Sequence, residues 1–395
     1  MSTAEPEWTT VLKILLAAPQ PFYRERGTPI AVRLLAETLC EFGHEVDLLV
    51  YHDGEDIEAR GLRLFRAARP PGVREVPIGI SVQKLACDVP FVVKLAALMM
   101  RNRYDVIHAV EEAVFAAAVL NLRGRSKIVY DMDSSLSEQL TDKWTLLRPL
   151  GQVFRSLERS AVRRSAVVLP VCEDLAAKVR PWTDHRRVIV LPDVPVGGSP
   201  GDTTIESLRE VVVGEGPIGL YVGNLEHYQG IDLLLDALRR VSPDCSLKMV
   251  IIGGSPADVA QCRQRVTALG LVGRVWFLGS RPVAHLGSYL AQAQVLVSPR
   301  ILGQNTPMKV YSYMQSGKAI LATDIRSHTQ ALDETCAELV SAEPAALAAG
   351  LERLARDPRR REILGAAAKA RAEREYSIEA YRGRLGRAYQ LLAGG

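Results

Sequence analysis

Short apolar runs alternate with longer segments whose apolar residues fall three and four positions apart, and this alternation continues along most of the chain. Val11 to Ala17 reads as a first strand. Ile30 to Phe42 carries helical spacing, with a Gly27-Thr28-Pro29 turn before it and Gly43 ending it. Glu45 to Tyr51 reads as a second strand. Asp105 to His108 and Lys127 to Tyr130 are two more, separated by an alanine-rich helical stretch from Glu111 to Leu122. Val167 to Val171 and Val188 to Leu191 complete this half. Strands alternating with helices of this length predict a parallel sheet covered on both faces.

Between Pro192 and Gly216 the composition changes, and Pro195, Gly197, Gly198, Ser199, Pro200 and Gly201 mark a linker. The alternation then restarts with the strand Ile218 to Val222, the helix Ile231 to Val241 and the strand Lys248 to Ile252. Ser255 to Asp258 has a capping residue, proline in the first turn and an acid three positions on, so a helix starts there. Val275 to Leu278, Val295 to Val297 and Ala319 to Ala322 continue the strands, and an Arg/Ala-rich helical region closes the chain from Pro344. The expectation is an α/β protein of two Rossmann-like domains facing each other across a cleft, 1–195 and 196–376, with a last helix, 377–395, packing back on the first.

Composition narrows the function classes. The 395 residues are 48% hydrophobic and 24% charged, the balance of a globular protein. A net charge of +4 gives no reason to invoke nucleic acid. The six cysteines are scattered without metal-ligand spacing, which suits reduced thiols in a cytoplasmic protein. The polar start MSTAEPEWTT is unlike a secretory signal. The apolar stretch from Phe91 to Met100 is interrupted by Lys94 and too short to span a bilayer.

In open parallel sheets, ligands bind where strands end and helices begin. Gly223 and Asn224 leave one strand of the second half, Gln229 and Gly230 open its helix, and Gly253 leaves the next strand. The segment from Ser298 to Met314 is the most informative. Thr306 is a natural N-cap and Pro307 a natural first helical residue, so the amides there form an anion site to which Arg300 and Lys309 add charge.

The runs YVGNLEHYQGIDLLLDAL, VIIGG and NTPMKVYSYMQSGKAILATD resemble the donor-binding domain of family-4 retaining glycosyltransferases with the GT-B fold. GTPIAVRLLAETLCEFGHEVDLL and YDVIHAVEEAVF resemble that family's acceptor domain, and the likeness spans nearly the whole chain in order. It implies a nucleotide-diphosphate sugar donor held by Gly223, Asn224, Gln229, Gly230, Gly253, Arg300, Gly303, Gln304, Asn305, Thr306, Met308, Lys309 and Ser312. It implies catalytic roles for His108, Asp133 and Lys309, and acceptor contacts at Gly27, Thr28 and Glu111. It also implies same-face displacement, in which no enzyme nucleophile, cofactor or divalent metal is required. Where the family carries arginine and lysine for the pyrophosphate, this chain has Asn224 and Gln229. The family's paired glutamates, eight positions apart, fall on Gln304 and Ser312, the second being the one that grips ribose. Lys309 and the helix amides then carry more of the phosphate charge.

Several segments keep more than one reading. Asp131-Met132-Asp133 fits a DxD metal site, the first motif of a haloacid-dehalogenase-like phosphotransferase, or the cleft-edge loop of a GT-B acceptor domain. The paired acids that the dehalogenase reading needs are not evident. His108 is a cleft residue or a structural histidine, Glu111 and Glu112 cleft residues or helix-dipole partners, and Gly27 and Thr28 a ligand loop or a helix start. Leu146, Leu147, Leu150, Phe154, Leu157 and Ala161 recur at helical spacing beside Arg155, Arg159 and Arg163. That is a core-packed helix with a solvated face, or a basic amphipathic helix in peripheral contact with the inner membrane. The acceptor implied is a sugar or a lipid-linked molecule, or a surface polysaccharide precursor. The alternative function is a non-catalytic nucleotide- or sugar-binding protein that kept the fold.

Overall fold

The computed structural model describes residues 10–25, 27–57, 59–76, 81–137, 149–197 and 205–393. The chain divides into two compact units, one of Met1–Pro192 with Tyr381–Gly395 and one of Asp193–Ala380.

The first unit holds a six-stranded sheet built from β1 (Lys13–Ala17), β2 (Glu45–Val50), β3 (Leu62–Arg66), β4 (Val106–Val110), β5 (Lys127–Met132) and β6 (Val167–Pro170). Their spatial order is β3-β2-β1-β4-β5-β6, every neighbour parallel, with Leu15 of β1 opposite Asp47 on one side and Ile107 on the other. Parallel neighbours need crossovers, which α1 (Gly27–Glu41), α2 (Val82–Arg101), α3 (Ala113–Leu120) and α4 (Gly151–Arg164) help to supply. Because helices cover the sheet, central strands such as β4 are buried at every position.

The second unit repeats the plan with β7 (Ile218–Val222), β8 (Lys248–Ile252), β9 (Val275–Gly279), β10 (Val295–Ser298), β11 (Ala319–Thr323) and β12 (Glu338–Val340), ordered β12-β11-β10-β7-β8-β9. In both sheets the first strand lies beside the fourth. Strand order reverses there, and loops leaving neighbouring strands diverge to leave a crevice. The helix Pro256–Ala268 has the full capping box expected from its sequence, Ser255 and Asp258 each bonding the other's backbone.

Four expectations need correction. β3 and β12 were not foreseen: both are edge strands, one only partly buried and the other three residues long, so their apolar signal is weak. Val188 to Leu191 is not a strand and makes a single bridge, Val168 to Val188. The helix expected from Ile30 begins at Gly27, so Gly27 and Thr28 form its first turn rather than a loop before it. On α4, Leu150 and Leu157 are exposed and Glu158 is buried, against the core-packed face read from spacing, of which Ala161 is buried and Phe154 half-buried. Leu146, Leu147, residues 1–9 and residues 198–201 of the linker lie outside the described residues.

The last helix, Ile378–Ala393, buries Tyr381, Leu385, Ala388, Tyr389 and Leu392, a stripe at helical spacing. From Tyr381 onward it belongs to the first unit, where the Tyr389 ring stacks on His44 and His108.

Candidate functional site

In the second unit, the loops after β7 and β10 flank the reversal point, and glycine lets them meet. Gly253 has φ +116, and a Cβ there would lie 2.0 Å from the Gly223 carbonyl oxygen, so the turns after β7 and β8 touch backbone to backbone. Gly230, at φ +75, has Pro299 O where its Cβ would be, at 1.9 Å. That contact draws the start of the helix Ile231–Arg240 onto the exit of β10. Asn224 is braced by its neighbours: its carbonyl accepts from Tyr221 Oη at 2.5 Å, and its amide reaches Tyr228 Oη at 3.4 Å.

Lys309 stands at the centre. It is the second residue of the helix Met308–Gln315, whose first internal bond, Val310 N to Pro307 O, leaves the Met308 and Lys309 N–H groups unused by the helix. Its Nζ donates to Gln229 Oε1 at 2.9 Å and sits 4.0 Å above the Tyr221 ring. No carboxylate pairs with it among the described residues. Burial, reinforced by the Arg300 charge, pulls its ammonium well below the usual lysine range. Thr306, two residues before the helix, is 3% exposed and its Oγ1 has no hydrogen-bond partner among the described residues. The N-cap is Pro307, not Thr306 as expected, so the threonine hydroxyl is not consumed by capping.

Arg300 has a different task. Its Nε donates to Leu302 O at 2.6 Å and its Nη1 to Asn305 O at 3.1 Å, while the guanidinium lies over Tyr228. Gly303, at φ +135, leaves room for that fork. Arg300 therefore shapes the loop carrying Gly303, Gln304 and Asn305 rather than pointing at a ligand. The Gln304 carbonyl accepts from Gln330, which pins the exposed end of the loop. Ser312, expected to face ribose, is 4% exposed and closed off: its hydroxyl donates to Val196 O at 3.0 Å and accepts from Val196 N at 2.9 Å. That helical face packs on the chain entering the unit, which corrects the expectation.

In the first unit the carboxyl ends of β4 and β5 bring together Glu111, Asp131, Asp133 and Ser134. Glu111 has φ +51, a left-handed conformation that strains a residue with a side chain. Its N–H bonds Asp131 O at 2.8 Å, and its Oε1 accepts from Ser134 Oγ at 3.0 Å. Burial, followed by the neighbouring Glu112 charge, holds its carboxyl up at about 7 despite the opposing pull of Lys84. Glu112 pairs with Lys84 at 2.6 Å, and Asp88, bonded by Tyr51, is raised by burial to about 6. Asp133 lies one residue past β5.

His108 is corrected. It sits in the middle of β4 rather than at its end and is 0% exposed, with Nδ1 2.9 Å from Tyr389 Oη and Nε2 3.6 Å from Asp131. It anchors the last helix. Gly27 and Thr28 begin α1, where their amides follow the end of β1.

Some site residues escaped the sequence reading. His328 bonds Ser298 Oγ through Nε2 at 2.8 Å and Thr323 O through Nδ1 at 2.9 Å, while the Thr323 hydroxyl donates to the Arg300 carbonyl. This chain fastens the Arg300 loop to β11, and burial keeps the imidazole neutral by lowering it to about 4. Its signal was a histidine just beyond a strand end. Lys84 gave none, because its partner is distant in sequence.

Two family models match in tandem: "Glycosyltransferase Family 4" over residues 26–193 and "Glycosyl transferases group 1" over residues 216–357. The phosphatidyl-myo-inositol mannosyltransferase of Mycobacterium tuberculosis is 26% identical over 400 residues, covering 97% of this chain and 98% of the relative. Among solved structures, sucrose-phosphate synthase from Thermosynechococcus elongatus superposes with a TM-score of 0.77 at 21% identity, covering 97% of this chain and all (100%) of that one. HepE of Anabaena, solved in complex with UDP, gives a TM-score of 0.72 at 16% identity, covering 96% and 100%.

Proposed function

Because the chain belongs to the group 1 glycosyltransferases, family 4, with the GT-B fold, we propose that it moves a sugar with retention from a nucleoside-diphosphate sugar to a lipid-linked acceptor. The observation that carries this reading is Lys309, a half-buried lysine without a carboxylate partner among the described residues, beside the unused amides of a helix start. Partial withdrawal from water and the Arg300 charge disfavour its ammonium form, and an anion joining it would favour that form. The diphosphate leaving group is that anion, and the UDP complex of HepE supports a donor of this class.

In the transfer, the bond from the anomeric carbon to the diphosphate oxygen breaks. The acceptor hydroxyl oxygen forms the new bond on the same face, and its proton passes to the departing phosphate. Lys309 and the amides of Met308 and Lys309 hold the phosphate oxygens as their charge grows. Arg300 and His328 keep the adjoining loop in place. On the acceptor side, Glu111 and Asp133 hydrogen-bond the acceptor's hydroxyls, Glu111 acting as donor or acceptor according to its protonation.

A lipid acceptor is supported by the mycobacterial relatives, which are phosphatidyl-myo-inositol mannosyltransferases. It is supported also by α4, where exposed Leu150, Val153 and Leu157 share one face and Arg155, Arg159 and Arg163 the opposite one. An exposed apolar face backed by a basic one suits shallow contact with an anionic bilayer. No helix among the described residues is long and apolar enough to cross a membrane, so the contact is peripheral.

The test is transfer from UDP-, GDP- and ADP-sugars to phosphatidylinositol in vesicles, with the product's anomeric configuration read by NMR. One donor giving a retained glycolipid is expected. An inverted product, or no consumption of any donor, overturns the reading.

A further inference from the structure

A cavity of about 790 Å³ opens at the opposite end of the first unit's sheet from Glu111. It is lined where β5 and β6 begin, by Ser126, Lys127, Ser165 and Ala166, and by the C-terminal turn of α4. Among the described residues, five cations face it, Lys127, Arg163, Arg164, Arg186 and Arg187, against the single carboxylate of Asp184. The whole chain carries a net charge of only +4, so this concentration is local.

Among the described residues, the arginines of the cavity are not accounted for by ion pairing. Arg164 Nη1 donates to Ala118 O at 3.2 Å, a neutral acceptor. Asp184 accepts from the Arg186 backbone N–H at 3.0 Å, as the cap of the short turn His185–Arg187. The Arg163, Arg186 and Arg187 guanidiniums make no ion pair among the described residues. Favourable interaction with the α4 dipole explains Arg163 and Arg164 at that helix's end. It does not explain Arg186 and Arg187, which arrive from a separate turn to face the same space. Gathering like charges around a concavity raises the energy of the unliganded fold and focuses a positive potential into it.

We infer that this cavity binds a phosphate-bearing anion, at a site separate from the donor pocket around Lys309. Guanidiniums arriving from two elements can each bridge two phosphate oxygens, which a point charge cannot. The rim adds a second feature: Leu122 is 71% exposed and Leu391 47% exposed at the mouth. Apolar side chains beside a basic cavity fit a phosphate that is the headgroup of a lipid as well as one free in solution. The inference stands apart from the transfer reaction, since none of its residues lies at the carboxyl ends of the strands.

The experiment uses two probes. Inorganic pyrophosphate is titrated calorimetrically into the Lys309→Ala protein, which removes the donor pocket's main cation, with and without Arg186→Ala and Arg187→Ala. Binding to Lys309→Ala that weakens about thirtyfold on loss of both arginines is expected, at about tenfold per 1.4 kcal/mol and about one arginine's surface attraction each. No binding to Lys309→Ala, or binding indifferent to the two arginines, overturns the inference. Thermal unfolding checks that the exposed substitutions leave the fold intact.

Flotation with phosphatidylglycerol–phosphatidylcholine vesicles, against phosphatidylcholine alone, then separates the sources. Anionic-vesicle binding that falls in the double arginine variant identifies a lipid headgroup. Unchanged flotation with lost pyrophosphate binding identifies a free phosphate compound. Both support the site.

Discussion

Replacing Lys309 with methionine separates the stability of the second unit from its proposed chemistry. The substitution keeps most of the side chain's length and removes its charge. Without ligand, the protein loses the bond to Gln229 and the contact over Tyr221, at 2.9 Å and 4.0 Å. A hydrogen bond from a charged group contributes about 1.5–3 kcal/mol, and a desolvated cation over an aromatic ring about 2 kcal/mol. Against this, holding a half-buried ammonium without an anionic partner carries a desolvation cost of about the same size. The terms oppose each other at similar size, so stability is expected to change by less than about 2 kcal/mol, or roughly 4–8 °C in a unit of this size. With ligand the effect has one sign. A lost donor to the leaving diphosphate is expected to lower kcat by about 10²–10³, while UDP, which stabilises the native protein by about 2.7 kcal/mol at a hundred times its Kd, loses most of its thermal shift. The assays are turnover with the donor found in the panel and differential scanning fluorimetry with and without UDP. Wild-type turnover with an undiminished UDP shift would refute the reasoning. So would a loss of turnover matched by a collapse of the unliganded fold, since Lys309 would then be a structural residue.

Three other outcomes follow from the geometry. His328 is 0% exposed and lowered to about 4 by burial; the unfolded chain therefore binds more protons between about pH 6.5 and 4, and stability, complete above that window, is lost as pH falls through it by up to about 3 kcal/mol. Urea titrations at several pH values should show that slope, reduced in a His328→Gln protein; a slope unchanged by the substitution assigns it elsewhere, for instance to His44, also lowered to about 4. Glu111→Gly relieves the left-handed backbone at φ +51 and is expected to stabilise by about 1 kcal/mol while impairing transfer to acceptor more than donor hydrolysis; equal loss of both activities would argue against an acceptor role. Gly230→Ala puts a Cβ 1.9 Å from Pro299 O at φ +75 and is expected to cost at least about 2 kcal/mol and raise KM for donor; a neutral effect on melting and KM would mean that the two loops do not depend on this contact.

Much of the fold was legible because alternation of apolar runs with helical spacing is a local property. β7 and β8 match their expected spans residue for residue, and the cap at Ser255 is complete. Edge strands β3 and β12 were not legible, since one half-buried face or three residues leave little periodicity. The donor-side glycines and Lys309 were found through turn chemistry and the family resemblance. The supporting residues Tyr221, His328 and Gln229's partner were not paired in advance, because Lys309 and Gln229 lie 80 positions apart.

The amino-acid sequence by itself determined the two parallel α/β units and the helix start carrying Lys309, because side-chain periodicity and capping chemistry act within a few residues. Only the tertiary structure decided which polar groups remain available. His108 and Ser312 looked equally suited to a ligand, yet one is closed by Tyr389, 281 positions away, and the other by Val196, 116 positions away. Lys309, by contrast, has no carboxylate partner among the described residues, and Glu111 is bonded by Ser134 yet held up at about 7 by burial and the neighbouring Glu112 charge. Such availability depends on which distant backbone and ring happen to pack against a side chain, and no local pattern encodes that.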